Sequence, residues 1–147
     1  MQVRVVSHRE PEPLSLDAFE RLAEFVLRME AVPDLSELSI ALVDEEEMAR
    51  LNEQYRGVSK PTDVLSFGCD EPCPTPGEEP ITLGDVVIAP SVAEAQAREL
   101  GHTAEHELDV LLVHGILHLL GYEHEQDAGA EAMTARETAL LDAYAAE

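Results

Sequence analysis

The segment TAEHELDVLLVHGILHLLG, residues 103–121, constrains the fold more than any other part of the chain. It has the length and composition of an α-helix and stops at Gly121, a residue type that often terminates helices. Its leucines at positions 111, 112, 117, 119 and 120 point to nearly every side of such a helix. Because a helix that is apolar nearly all round is buried, the sequence predicts one central helix enclosed by other elements.

The remaining elements alternate between strands and helices before the chain becomes wholly helical. Strand patterns occur in QVRVVS, ELSIALV, PTDVLSF and GDVVIA. Helical patterns occur in SLDAFERLAEFVLRMEA, DEEEMARLNEQYRG, SVAEAQAREL and DAGAEAMTARETALLDAYA. In the second of these helices, Asp44 and Glu47 have the spacing of a capping box and Gly57 ends the pattern. We therefore predict an α+β (α/β-like) fold, a small four-stranded mixed sheet packed by about five helices, in a single domain over residues 1–147.

The charge balance limits the partners that the chain can bind. Nine basic and 31 acidic residues give a net charge of −22, which argues against a broad basic surface for duplex nucleic acid and against DNA as a partner. No apolar stretch approaches the length of a membrane helix, and the N-terminus lacks the apolar core of a signal peptide. We expect a cytoplasmic protein with no membrane partner. In that reducing compartment, Cys69 and Cys73 are expected to be free thiols on a loop.

Three histidines at the end of the central helix have the spacing of metal ligands. His114 and His118 are four residues apart, so they lie about 6 Å apart along one face of the helix. Gly121 can adopt a left-handed conformation that reverses the chain and returns His124 as a third nitrogen ligand. Three protein nitrogens leave a fourth tetrahedral position for water, which is typical of catalytic zinc sites. The sequence predicts one Zn²⁺ ion here, although imidazole also suits other divalent metals.

The spacing of the three histidines is that of zinc metalloproteases, but Gly115 stands where those enzymes have a catalytic glutamate. Without this glutamate, no proton shuttle serves the leaving amine in peptide hydrolysis. Cleavage of a phosphodiester depends less on such a shuttle. Glycine also costs ~1 kcal/mol of helix propensity relative to alanine, which suggests that the space above it is needed. The other three histidines, His8, His102 and His106, show no ligand spacing and are interpreted as surface residues.

The stretch YRGVSKPTDVLSFG, residues 55–68, contains two of the few basic residues, Arg56 and Lys60. Taken alone, it favours an ordinary helix end at which Arg56 complements the helix dipole, followed by a turn shaped by Thr62 and Asp63.

Three stretches, LNEQYRGVSKPTDVLSF, LGDVVIA and VHGILHLLGYEH, resemble in order and spacing the bacterial YbeY family of rRNA maturation factors. Members of that family are metal-dependent endoribonucleases, and the resemblance covers nearly the whole chain. It implies a zinc ion on His114, His118 and His124, and an essential arginine at Arg56 facing the metal across a cleft. It also implies a role in 16S rRNA 3′-end maturation and in ribosome quality control.

The leading hypothesis is a zinc-dependent endoribonuclease, a hydrolase specific for single-stranded RNA. Arg56 and the metal ligand His114 are the candidate catalytic residues, and Arg56 and Lys60 are the candidate substrate-binding residues. The expected partners are single-stranded rRNA and the small ribosomal subunit or an associated protein. Two alternatives remain, a zinc metallopeptidase and a non-catalytic ribosome-assembly factor with a structural metal.

Overall fold

A computed structural model describes the protein over residues 2–9, 14–68, 81–122 and 127–147, except the side chains of Ile81, Asp127 and Ala128. Its elements, in chain order, are β1 (Gln2–Ser7), α1 (Leu16–Met29), β2 (Ser36–Leu42), α2 (Glu45–Arg56), β3 (Val64–Gly68), β4 (Ile81–Ile88), α3 (Pro90–Leu100), α4 (Ala104–Leu119) and α5 (Asp127–Ala145). Four strands and five helices within these segments confirm the predicted α+β class. The predicted loop thiols, Cys69 and Cys73, lie outside the described residues. No helix in these segments has both the length and the apolar character needed to cross a bilayer.

The sheet is mixed, as predicted, with strand order β1-β2-β4-β3. The first three strands in this order are parallel, and β3 is antiparallel to β4. The parallel strands therefore all end on the same side of the sheet. At that end, Val64 at the start of β3 pairs with Ile88 at the end of β4. Since β3 is an edge strand, only one of its sides is paired within the described sheet.

Helices cover both faces of the sheet and produce two apolar clusters. The larger cluster joins one face of the sheet to α1, α4 and α5 through side chains such as Leu22, Ile40, Val86 and Leu112, each at most 1% exposed. The smaller cluster joins the other face to α2, where Met48 packs among Val43, Leu65, Val87 and Ala89. Alternate residues of one strand thus face different helices, which is the arrangement that strand geometry imposes.

Helix α4 is the central helix that the apolar pattern predicts. Its buried residues are distributed around the helix rather than along one stripe: Glu107, Leu108, Leu111, Leu112, Val113, Gly115, Ile116 and Leu117. The Thr103 side chain accepts a hydrogen bond from the His106 backbone N–H at the amino end. At the other end Gly121 has φ +99° and donates its N–H to the His118 carbonyl, which confirms the left-handed termination.

Helix α2 begins and ends where its sequence signals predict. Asp44 Oδ1 accepts a hydrogen bond of 2.8 Å from the Glu47 backbone N–H, and Gly57 ends the helix with φ +73°. The Glu47 carboxylate binds His8 Nδ1 at 2.9 Å, so this side chain connects α2 to the end of β1. The termination at Gly57 leaves Arg56 in the last turn of α2.

Candidate metal centre

Two of the three predicted metal ligands, His114 and His118, line one cavity of about 360 Å³. They lie one helical turn apart on α4, with His114 half-buried and His118 exposed. The cavity is completed by Arg56, Thr62, Asp63, Val64, Leu65 and Ser66. The third predicted ligand, His124, lies outside the described residues. Within the described segments no group of three His, Cys, Asp or Glu side chains is placed to hold a metal ion.

A buried carboxylate fixes the ring of His114. Glu137 on α5 is 9% exposed, and its Oε1 lies 2.5 Å from His114 Nδ1. This hydrogen bond is the main reason that the pKa of His114 is raised above its usual value, with the charges of Glu137 and Asp63 acting in the same direction and burial opposing them. Because Nδ1 is engaged by Glu137, a metal would bind this imidazole through Nε2.

The pairing of His114 with Glu137 fits a metal ligand. Metal-binding histidines usually donate their other ring N–H to a carboxylate or carbonyl, which sets the tautomer and the ring orientation. Together with His118 one turn away, the described residues therefore supply two imidazoles suited to Zn²⁺ or a similar divalent cation. Sequence reasoning missed Glu137. Its signal was a glutamate on the buried face of α5, between Met133 and Leu140.

Arg56 belongs to the same cavity as the two histidines, whereas Lys60 does not line it among the described residues. The Arg56 side chain is exposed and makes no ion pair or side-chain hydrogen bond with another described residue. Lys60 lies in the loop after α2, where its carbonyl accepts a 2.8 Å hydrogen bond from Nδ2 of the buried Asn52. Of the two predicted substrate-binding residues, Arg56 therefore lies in the cavity with the histidines, and Lys60 lies in the loop after α2.

Asp63 adds a carboxylate to the cavity that the sequence interpretation had assigned only to a turn. Its Oδ1 accepts a 2.8 Å hydrogen bond from the Val64 N–H, and its backbone carbonyl accepts one of 2.9 Å from the Ala89 N–H. These contacts fix the residue at the start of β3. Its negative charge contributes to the raised pKa of His114.

Gly115 is explained by the packing of α4 on the sheet. A Cβ atom at this position would lie 2.7 Å from Val86 Cγ1 and 3.3 Å from both Ser66 Oγ and Val64 Cγ2. The Ser66 hydroxyl also donates a 3.0 Å hydrogen bond to the Gly115 carbonyl. The space above this glycine is therefore filled by the sheet. Gly115 is not among the described residues that line the cavity, so close approach of the backbone, rather than a change of chemistry alone, accounts for it.

A polar network fixes the chain just before the segment that contains His124. Arg136 Nε on α5 donates a 2.8 Å hydrogen bond to Glu30 Oε1 at the end of α1. The Tyr122 hydroxyl donates to the same carboxylate at 3.3 Å. Arg136 and Glu137 are neighbours on α5, so one helix anchors both the end of α1 and the His114 ring.

The other three histidines are exposed, as predicted. His8 binds Glu47, and His102 Nε2 lies 2.9 Å from Oε2 of the buried Glu107. The His106 ring packs edge-on against that of His102. The His8–Glu47 pair connects β1 to α2, and the His102 contacts lie at the start of α4. None of the three histidines is among the described residues that line the candidate metal cavity.

Fold and cavity together define a class: α+β proteins in which a central helix and an edge strand enclose a histidine-containing candidate metal centre faced by an arginine. The chain belongs to the endoribonuclease YbeY family, which it matches over residues 6–145.

Similar proteins support the family membership over most of the chain. Endoribonuclease YbeY of Acidothermus cellulolyticus is 48% identical over 133 residues, covering 86% of this chain and 81% of that protein. The Thermobifida fusca protein of the same name is 45% identical over 139 residues, covering 92% and 90%. A solution structure of TM1509 from Thermotoga maritima shares the fold with a TM-score of 0.67 and 30% identity, covering 95% of this chain and 87% of that one.

Proposed function

We propose that this protein is a zinc-dependent endoribonuclease that cleaves single-stranded RNA, with the metal held by His114, His118 and His124. We further propose that it acts in the cytoplasm, in 16S rRNA 3′-end maturation and ribosome quality control, together with the small ribosomal subunit or an associated protein. The names of its relatives support RNA cleavage.

The observation that carries the proposal is the presence of Arg56 in the same cavity as His114 and His118. Cleavage of a phosphodiester places negative charge on non-bridging oxygens, and preorganised cations are the main source of its stabilisation. A guanidinium can hydrogen-bond two such oxygens at once. Peptide hydrolysis has less need of this group, so the arginine favours a phosphate substrate.

Three described residues at or behind the cavity have a task in this mechanism. Arg56 binds the scissile phosphate and stabilises its developing charge. Glu137 holds the His114 ring, so Nε2 is directed away from α5. The Asp63 carboxylate lines the cavity and is the group placed to accept a proton from the attacking water or 2′-hydroxyl. When bound, zinc would supply positive charge to the phosphate and lower the pKa of a coordinated water.

The charge distribution supports a short, unpaired substrate. Arg56 is the one basic side chain among the described cavity-lining residues besides the histidines, and the chain carries a net charge of −22. Duplex recognition requires many phosphate contacts, which such a surface cannot supply. Lys60 lies in the loop between α2 and β3, where Asn52 binds its backbone carbonyl, and its charge is proposed to attract the RNA strand. RNA affinity should therefore be weak and should be helped by a ribosome-associated partner.

The peptidase alternative loses support at Gly115. A glutamate there would begin with a Cβ atom 2.7 Å from Val86 Cγ1, so a general base at that position would require α4 or the sheet to shift. The sequence keeps the spacing of the three histidines, whereas the packing of α4 on the sheet disfavours the protease glutamate.

A cleavage assay with matched arginine variants tests the proposal. Zinc-loaded protein should cut single-stranded RNA much faster than duplex RNA. Arg56→Ala should lower kcat/KM by about 100-fold or more, and His114→Ala should remove activity. Arg50→Ala is the control, because Arg50 is an exposed arginine of the same helix and lies outside the described lining of the cavity.

The alternatives predict different results in the same preparations. RNA cleavage that survives both Arg56→Ala and His114→Ala would contradict the nuclease assignment. Peptide cleavage that is unaffected by Arg56→Ala would establish the peptidase. Normal maturation of rRNA 3′ ends by metal-stripped protein that still binds ribosomes would establish the assembly factor.

A further inference from the structure

A second cavity, of about 620 Å³, lies on the opposite face of the sheet, between α2 and strands β2, β3 and β4. Its lining shares Arg56, Leu65 and Ser66 with the metal cavity. Since β3 is the edge strand, the two cavities flank the same edge of the sheet, and Arg56 borders both. An RNA chain held at Arg56 can therefore pass from one cavity to the other around the β3 edge of the sheet.

An aromatic pair, the exposed Tyr55 and the partly buried Phe67, forms part of this second cavity. Tyr55, on α2, is 59% exposed as a residue, and its ring contacts the Phe67 ring on β3, with centroids 4.6 Å apart and planes inclined by 55°. An aromatic side chain so exposed contributes little to the core. Aromatic rings of this kind are platforms on which unpaired nucleic-acid bases stack, largely without regard to sequence.

The charges around the second cavity select a base over a phosphate. Glu47 and Asp85 both line it, and the Glu47 carboxylate is held by His8 at 2.9 Å. Carboxylates repel a phosphate group but accept hydrogen bonds from the amino groups of bases. Arg56, at the border of the two cavities, is the group suited to the phosphate between them.

We propose that the second cavity is a subsite for one unpaired base of the RNA, stacked on Tyr55 and adjacent to the phosphate held by Arg56. The subsite rests on the proposed function, since it extends the path of the RNA strand away from the metal centre. It also gives single-strand specificity a physical origin. A base in a duplex is stacked on its neighbours and paired with the opposite base. It must lose both the stacking and the pairing before it can stack on Tyr55.

Steady-state cleavage of a short single-stranded RNA with one cut site tests the subsite. Tyr55→Ala should raise KM by about tenfold, in line with the loss of one base–aromatic stack, and should change kcat much less. Tyr55→Phe keeps the ring and should restore most of the affinity lost in Tyr55→Ala. Leu100→Ala is the control, because Leu100 is 63% exposed and lines neither cavity among the described residues.

RNAs with one abasic nucleotide locate the stacked base. At one position beside the cut site, removal of the base should raise the KM of the wild-type protein by a similar factor. The same RNA should cause no further loss in Tyr55→Ala, because the stack is already absent. If the abasic RNA raises the KM of Tyr55→Ala by the same factor as that of the wild-type protein, the proposal is overturned. A Tyr55→Ala protein whose KM matches that of Leu100→Ala would also overturn it.

Direct binding separates the failure of the subsite from the failure of the nuclease assignment. If the wild-type protein cleaves no RNA, the proposed function fails, and fluorescence anisotropy with the same oligonucleotide still tests the subsite. Weaker binding by Tyr55→Ala than by Leu100→Ala then supports it, and equal binding overturns it. A Tyr55→Ala protein that binds RNA normally but no longer associates with ribosomes would assign the cavity to a protein contact and also overturn the proposal.

Discussion

Replacement of Gly115 by alanine should destabilise the protein, although alanine is the better helix former. The added Cβ would lie 2.7 Å from Val86 Cγ1, a separation that requires either α4 or the sheet to move. Val86 is fully buried in β4, in the middle of the larger cluster. Its backbone pairs on both sides, with Ile40 and with Ser66, so it cannot easily shift.

Two opposing terms set the size of the effect of Gly115→Ala. Alanine gains about 1 kcal/mol of helix propensity, and an extra carbon in a close-packed core costs about 1–3 kcal/mol. Because the contact involves the buried side chain of a paired strand, we expect the packing term to dominate. The net loss of unfolding free energy should be up to about 2 kcal/mol, which lowers Tm by up to roughly 8 °C in a chain of this length.

Urea unfolding of four proteins measures this contact directly. Val86→Ala removes the Cγ1 atom that the new Cβ would meet. The double variant Gly115→Ala/Val86→Ala should therefore lose less stability than the sum of the two single variants, by at least about 0.5 kcal/mol. If Gly115→Ala instead stabilises the protein, or if the two effects add, then packing against β4 is not the reason for the glycine.

Two further predictions concern carboxylates. Glu137→Gln should weaken zinc binding by about 10–100-fold in a chelator competition titration. Glu131→Gln, which changes an exposed residue of the same helix, is the control and should leave zinc affinity unchanged. Equal zinc affinities of the two variants would contradict the role of Glu137 at His114. Burial, followed by the charge of Glu105, raises the pKa of Asp109 to about 6, so its ionisation opposes folding at neutral pH. Asp109→Asn should therefore increase the free energy of unfolding at pH 7 by about 1–2 kcal/mol, allowing for solvent screening of a partly buried group. This gain should vanish as the pH falls below about 4, near the unfolded pKa. Unfolding measured between pH 4 and 8 checks the sign, and a gain independent of pH would exclude titration of Asp109 as its cause.

The sequence predicted those parts of the fold that depend on neighbouring residues. Asp44 caps the start of α2 through a local hydrogen bond, and Gly57 and Gly121 end their helices with positive φ angles. All three act as their residue types predict. Local signals were less accurate at β3. Its pattern begins at Pro61, but the strand begins at Val64, because the chain bends at Asp63, whose side chain accepts a hydrogen bond from the Val64 backbone N–H.

The parts of the candidate site that the sequence left open depend on packing between distant elements. Glu137 meets His114 across 23 residues, only because α5 packs beside α4. The reason for Gly115 likewise lies on β3 and β4, which no helical pattern could identify. The third ligand, His124, stays a prediction from spacing. Arg56 shows the converse: its local sequence fits an ordinary helix end, and the family resemblance alone predicted that it faces the histidines, whose cavity it lines in the structure.

The most direct test of the central claim is the rate of single-stranded RNA cleavage by metal-stripped protein during titration with zinc. The protein should be inactive without metal, and the rate should rise until one equivalent of zinc is bound per chain. His118→Ala, which removes one of the two described candidate ligands, should shift the titration to much higher zinc concentrations. Full cleavage by the metal-free protein, or a rate that zinc does not change, would contradict a metal-dependent nuclease centre at His114 and His118.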